Sequence, residues 1–461
     1  MSEPARRAQT RRRTLPSWRW EALRTTFWLV PTILVVVACL LFVVTFEIDL
    51  AAYHRQIALP FWVRTGSADA GRQVLIAIAA AVITVVGVVF SITILALTLA
   101  SQQFGPRMMR NFIRDIGNQV TLGIFVATFV YAVLALGSIT SSPTNDFVPH
   151  LSITVAEALL LLDLAVLIYF IHHIAKSIQL PEVIAGIARD LMRAIDAEFP
   201  DGAVGPDLVE RGRSVEELLT MIDERGGVVP SISSGYLQFV GYADLVDIAC
   251  RTDAVIRLEH RPGHFIVAGR PLAIVWPLGA AEQVALALGK AHVTGPHRTL
   301  MQDPVFAIDQ LVEIGIRALS AAVNDTFTAL TCIDWLSAGL SRVSGRKLSE
   351  GVYRDRFGHV RLIEFDPSYA RMVNRAFDKV RQAARGMPAV IIRMLDALNC
   401  VMAATSSDEQ RRILVRQAEM IFSSAEESVP DPNDRRDIRG RYERVLRTAA
   451  LEAPPVTGDP A

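Results

Sequence analysis

QVLIAIAAAVITVVGVVFSITILALTLA, residues 73–100, runs for twenty-eight residues without one charged side chain. As a helix it would extend about 42 Å, beyond the roughly 30 Å that a bilayer core requires. A buried helix of a water-soluble protein is rarely so long and so evenly apolar, so the stretch reads as a membrane span. Working outward, further apolar runs occupy 26–46, 119–140 and 152–175, making four spans in all. The first is too long for the apolar region of a secretory signal, and no small-residue cleavage site follows it. Tyr53 and Trp62, in the polar segment 47–72, carry rings suited to the headgroup level.

Charge sets the expected orientation. Residues 1–25 hold seven arginines against Glu3 and Glu21, a net of 7 − 2 = +5, and the 101–118 loop holds Arg107, Arg110 and Arg114 against Asp115. The 47–72 and 141–151 segments carry no basic excess. The positive-inside rule then places both termini in the cytoplasm of a bacterial inner membrane.

The chain of 461 residues is 51% hydrophobic and 20% charged, too apolar for a wholly soluble protein and too charged for a wholly membrane one. Zero net charge argues against a nucleic-acid partner. Cys39, Cys250, Cys332 and Cys400 are scattered, with no CxxC pair, which disfavours a disulfide framework or a thiolate metal site. The expected fold is therefore a membrane α-helical region of four spans followed by a soluble α+β domain over 176–452, with 453–461 a disordered tail. Within that domain, 228–276 is rich in Val and Ile punctuated by Gly and Pro, and reads as β-hairpins forming a small sandwich. Ala254–Leu258 and Phe265–Ala268 would be strands, with HRPGH the turn between them. The shape of PGHFIVAGRPLAIV suggests a carrier-type sandwich, but no lysine sits at its tip to hold a swinging cofactor, and no cofactor is expected. After His297 the spacing predicts helices to 452, including one capped by Asp303-Pro304 and one capped by Asp325 or Thr326.

SGYLQ…D (234–247), PGHFIVAGRPL (262–272) and RTLMQDPVFAIDQLVEIGIRALSAAVNDTFTA (298–329) carry a family resemblance. With the four preceding spans they resemble a bacterial predicted-membrane-protein family of unknown function, whose signature runs RT…QDPxFxxxxLVEIAxRALSPGxNDPxTA. The likeness covers about 20–425 and singles out Gln302, Asp303, Glu313, Arg317, Asn324 and Asp325. This chain has Ser320-Ala321-Ala322 and Asn324-Asp325-Thr326 where the family has Ser-Pro-Gly and Asn-Asp-Pro, so the turn between the two helices is expected to be less rigid. The resemblance implies architecture and no activity.

Candidate chemistry lies mostly in the spans. Thr84, Gly87, Ser91, Thr98 and Ser101 share a face of the second span, either as a hydrated lining in an oligomer or as a packing seam of the small-xxx-small kind. Asp163 falls near the middle of the fourth span, as a proton or cation site or as a structural partner of a nearby Thr, Ser or Tyr131. Glu157 lies about 120° away from it around the helix and makes a poor dyad with it. His172 and His173 mark the cytoplasmic boundary or titrate there. Arg107, Arg110 and Arg114 set topology, bind anionic lipid or ring a pore mouth. Asp309, Glu313, Asn324 and Asp325 are a cation site or simply caps and surface. Neither GxxxxGK[ST], GxGxxG, HExxH nor GxSxG occurs, so nothing argues for an enzyme. The expected function is an oligomeric channel or transport-related protein. The alternative is a non-transporting scaffold or sensor whose soluble domain binds a partner or ligand.

Overall fold

Four helices are long and apolar enough to cross a membrane: α1 (Leu29–Tyr53), α2 (Ala68–Phe104), α3 (Ile116–Ser138) and α4 (His150–Ser177). The computed structural model describes residues 28–54, 57, 60, 61, 63, 66–104, 115–140, 147–199, 212–346, 351–364, 369–405 and 407–451. The basic tail 1–25, Trp62, the three arginines of the 101–118 loop and the tail 453–461 lie outside the described residues. The chain divides at 183/184 into two compact units.

In the first unit α3 is the central helix, packing against α1, α2 and α4. Its sequence explains the choice. Gly123 meets α1 so closely that a Cβ there would fall 2.6 Å from Leu34 Cδ1. Phe125, Tyr131, Ala132 and Ala135 then fill the interior at 0–1% exposure. The segment from Glu47 to Tyr53, expected as the start of a polar loop, is instead the last two turns of α1. Asp49 thereby becomes a buried residue of the bundle.

α5 (Leu180–Glu198) crosses the boundary into the second unit, and α6 (Val215–Arg225) follows, begun by a capping box between Ser214 and Glu217. A mixed region follows: β1 (Gly227–Pro230), β2 (Gly235–Val240), α7 (Tyr242–Arg251), β3 (Val255–Leu258), β4 (Phe265–Ile266), β5 (Pro271–Trp276), α8 (Ala281–Ala291) and β6 (His292–Gly295). The helical remainder comprises α9 (Pro304–Ala318), α10 (Thr326–Ser344), α11 (Tyr369–Ala383), α12 (Pro388–Ala403), α13 (Asp408–Ser428) and α14 (Pro432–Ala450), interrupted by β7 (Val352–Arg354) and β8 (Val360–Ile363).

The α+β character expected from sequence is present, with three departures. First, β3 and β4 do not form a hairpin: β3 belongs to a five-stranded sheet ordered β1-β5-β3-β8-β7, and β4 to a three-stranded sheet ordered β4-β2-β6. HRPGH carries the chain from one sheet to the other. Second, the strand-like texture of 228–276 contains α7, whose buried Leu245, Ile248 and Ala249 follow the helical period. Third, the stretch after His297 is not helical throughout, because β8 pairs in parallel with β3 and β7 returns antiparallel beside it. Both sheets close over one core, where Leu237, Val240 and Ile266 meet Ile256, Val275 and Leu362 beneath Leu245 and Leu288.

Candidate functional site

The interior of the four-helix unit holds a series of polar groups. Near one end, Asp49 of α1 accepts from the backbone N–H of Leu151 (2.8 Å) and Ser152 (2.9 Å) and from the Ser152 hydroxyl (2.8 Å). Pro149, at the N-cap position of α4, supplies no side-chain cap, so Asp49 caps the helix from a neighbouring span and sits at its positive dipole end. The Ser152 hydroxyl also reaches Thr45 at 3.2 Å, and Thr45 and Tyr131 share a hydroxyl bond of 2.8 Å. Tyr131 thus pairs with Thr45, not with Asp163.

Asp163 lies farther along α4 and is 3% exposed. Its Oδ1 accepts from Thr128 at 3.1 Å, while its Oδ2 is buried with no hydrogen-bond partner among the described residues. Glu157 is only half-buried. At the opposite end of the bundle, Asp115 caps α3 through Gly117 N–H (2.7 Å) and holds His173 Nε2 at 2.7 Å, with the His173 ring stacked on Tyr169. His172 is exposed.

The stripe of α2 faces away from this interior. Thr84, Gly87, Ser91 and Thr98 are exposed, and nothing lies within 4 Å of a Cβ built on Gly87. The three hydroxyls return to the carbonyls of Ala80, Gly87 and Ile94 on their own helix at 2.7, 2.8 and 2.9 Å. Among the described residues the stripe is therefore no packing seam within one chain, and it shares no lining with Asp163. The Ser101 side chain, like Arg107, Arg110 and Arg114, lies outside what is described.

In the second unit the three sequence segments that carry the family resemblance converge. Gln302 accepts from Val240 N–H (2.8 Å) and donates to Val240 O (3.0 Å), so its amide extends the edge of β2 like a strand residue. The Thr299 hydroxyl reaches Gln238 O at 3.4 Å. Arg298 forks between Asp303 (Nη2, 2.7 Å) and Asp309 (Nη1, 2.6 Å) and lies over the Phe306 ring. Asp303 precedes Pro304 as expected, but its side chain turns to Arg298 and makes no cap. The loop Pro262–His264 rests on this ion pair, and Arg261, 6% exposed, reaches His264 Nε2 at 3.3 Å.

The remaining signature residues have structural roles or unexceptional positions. Asn324 adopts φ 50° and Asp325 N–H returns to Ala318 O at 2.8 Å, so the two residues close α9. Asp325 then caps α10 through the Thr328 hydroxyl (2.6 Å) and N–H (3.1 Å), which hold its carboxyl below the usual range. The residue that ends one helix and the cap that begins the next are therefore adjacent in this turn. Asp309 is occupied by Arg298 and by Arg375 at 3.4 Å, which leaves no cation site with Glu313. Glu313 and Arg317 are half-buried on α9. Among the described residues no group of three metal-ligating side chains occurs.

His264 gives this region a pH response. Burial, then the charges of Arg261, Arg371, His260 and Arg298, hold its pKa down at about 4. The folded chain keeps it neutral, whereas the unfolded chain protonates it near 6.5. Below pH 6.5 the unfolded state therefore binds the extra proton, and stability falls until about pH 4, where both states are protonated. Unfolding midpoints measured from pH 7 to 4 should fall more steeply for the wild type than for His264→Asn; parallel curves would contradict this.

Comparison with known proteins agrees with the architecture. Residues 24–400 match the family described as "Predicted membrane protein (DUF2254)". Uncharacterized proteins of Mycobacterium tuberculosis and Mycobacterium bovis are similar, each 32% identical over 406 residues, with 85% of this chain and 76% of the relative covered. No solved structure matches the chain.

Proposed function

The chain belongs to this family of predicted membrane proteins, and from that premise we propose that it passes protons or small cations across a bacterial inner membrane, with Asp163 as the site that binds them. The observation that carries the reading is the unpartnered, buried Oδ2 of Asp163. Neither protonation state satisfies this carboxyl. Ionised, it has one donor, Thr128, and an Oδ2 without any among the described residues, at a cost of about 3 kcal/mol on insertion scales. Protonated at Oδ2, it is a donor without an acceptor. A passing cation, or a proton in transit with its water, supplies what the helices withhold.

The groups on either side fit the same reading. Asp49, Ser152, Thr45 and Tyr131 precede Asp163 along the bundle, and Asp115 with His173 follows it. With both termini cytoplasmic, as the arginine distribution implies, His173 stands at the cytoplasmic end. A pore shared between copies is required only when one bundle lacks polar groups, and this series supplies them. Each chain then carries its own path, and the outward stripe of α2 lines none of it.

The test is flux of protons, sodium and potassium in liposomes containing the purified protein, with wild type beside Asp163→Asn. Flux is expected for the wild type and should drop to the level of empty liposomes in the variant. Absence of wild-type flux for every ion and for a pH gradient would sink the transport reading in favour of a non-transporting scaffold or sensor.

A further inference from the structure

The convergence point of the three segments gathers several positive groups beside its acids. Arg261, Arg298, Arg371 and Arg375 act on one another there, with His260 and His264 among them. Asp303 and Asp309 are both engaged by Arg298, and Asp309 also by Arg375. Glu364 accepts from the hydroxyls of Tyr242 (2.6 Å) and Tyr353 (2.8 Å).

Arg261 is the anomaly. It is among the few buried arginines, yet it stands in no ion pair among the described residues, and its hydrogen bond there is Nε to His264 at 3.3 Å. A guanidinium presents five N–H donors in a plane. Burying it without a counterion costs several kcal/mol, which folded proteins offset with an opposite charge. The sequence contributes to the same shape: Gly263, at φ +91°, turns the loop so that Arg261 and His264 lie side by side. His264 must offer Nε2 as an acceptor to Arg261, so its other ring nitrogen carries the proton and is available as a donor.

We propose that Arg261 and His264, reinforced by Arg371, bind a phosphate group. A guanidinium fork beside an imidazole N–H suits a phosphate group, whose oxygens accept paired bonds from arginine. The bound group takes the counterion's place beside Arg261 and turns the surrounding charge from a liability into affinity. This site lies wholly within the second unit and does not depend on the transport reading. Its phosphate has two sources, a soluble phosphate ester or the headgroup of an anionic lipid.

The experiment uses the full-length protein in detergent. Unfolding midpoint and isothermal titration are recorded with inorganic phosphate, with glycerol phosphate and with a short-chain phosphatidate, against chloride at equal ionic strength. Phosphate or either ester should raise the midpoint, and binding should raise the His264 pKa, seen by NMR titration of its ring. Arg261→Gln should weaken binding by about tenfold or more, as expected when a charge-assisted bond worth 1.5–3 kcal/mol is removed. Arg441→Gln, which breaks an ion pair to Asp396 elsewhere, should leave binding unchanged. Binding by glycerol phosphate assigns a soluble ester, and binding by phosphatidate alone assigns a lipid headgroup. Should Arg261→Gln fold poorly, the His264 titration in the wild type still decides. No midpoint shift with any phosphate, together with a His264 pKa indifferent to them, would overturn the proposal.

Discussion

Gly263→Ala is expected to destabilise the second unit by about 4 kcal/mol or more, from left-handed backbone strain of 1–2 kcal/mol together with disruption of a buried ion pair, worth 3–5. An added Cβ would fall 2.1 Å from Asp303 Oδ2, the atom that receives both Nε and Nη2 of Arg298. Asp303 has little room to retreat, being 4% exposed and followed by Pro304. The loop is equally fixed, because Gly263 N–H donates to Leu237 O at 2.8 Å and Leu237 N–H to His264 O at 2.9 Å. Gly269 supplies the internal control. It too has positive φ, +80°, but nothing lies within 4 Å of its Cβ position. Gly269→Ala should therefore cost only the backbone strain, about 1 kcal/mol. Denaturant unfolding of the two variants should separate them by at least about 3 kcal/mol, the minimum expected from losing the ion pair. Equal losses would show that contact with Asp303 is not what demands glycine.

How far the sequence announced this arrangement depends on the range of the interaction. The four spans were legible because a long apolar run has few soluble interpretations. Asp325 as a cap and Pro304 at a first helical turn were legible because both act within a few residues. The β7–β8 hairpin was not, since β8 is held by pairing with β3 about a hundred residues earlier, and its four residues carry no period of their own. Nor was the split of β3 and β4 between two sheets, because sequence proximity favours a hairpin until a competing partner is known. The three segments are recognisable in the chain, but their meeting is not. Gln302 pairs with the backbone of Val240, and backbone partners leave no mark in the side-chain pattern. Arg261 carries no sequence signal for a related reason: a single arginine in HRPGH has the pattern of a turn residue, and only the fold buries it. In the spans, Asp163 stood out because a carboxylate interrupts an apolar run, whereas Asp49 followed Phe46 and Glu47 and read as the chain leaving the membrane.

Asp49 is the second residue whose loss should be severe. Asp49→Ala should cost the four-helix unit about 3–5 kcal/mol, because three donors lose a charged acceptor in a buried setting, each unsatisfied group costing roughly 1–3. The donors belong to the first turn of α4, where the sequence offers Pro149 and no local side-chain cap, so no neighbour takes over the two backbone N–H groups, while the Ser152 hydroxyl keeps Thr45. Asp49→Asn keeps one acceptor oxygen and should lose about half as much, given that bonds to a charged partner are about twice as strong as neutral ones. Asp163 makes the opposite comparison within the same bundle. With one bond from Thr128 and one oxygen unpartnered, Asp163→Asn removes a buried acid and little bonding, and should leave the thermal midpoint in detergent unchanged or raised. If Asp163→Asn melts as low as Asp49→Ala, both carboxylates are structural and the transport proposal loses its support. If the midpoints diverge as expected, one aspartate holds two spans together while the other is kept at a cost to stability, the pattern expected where a residue is retained for what it binds.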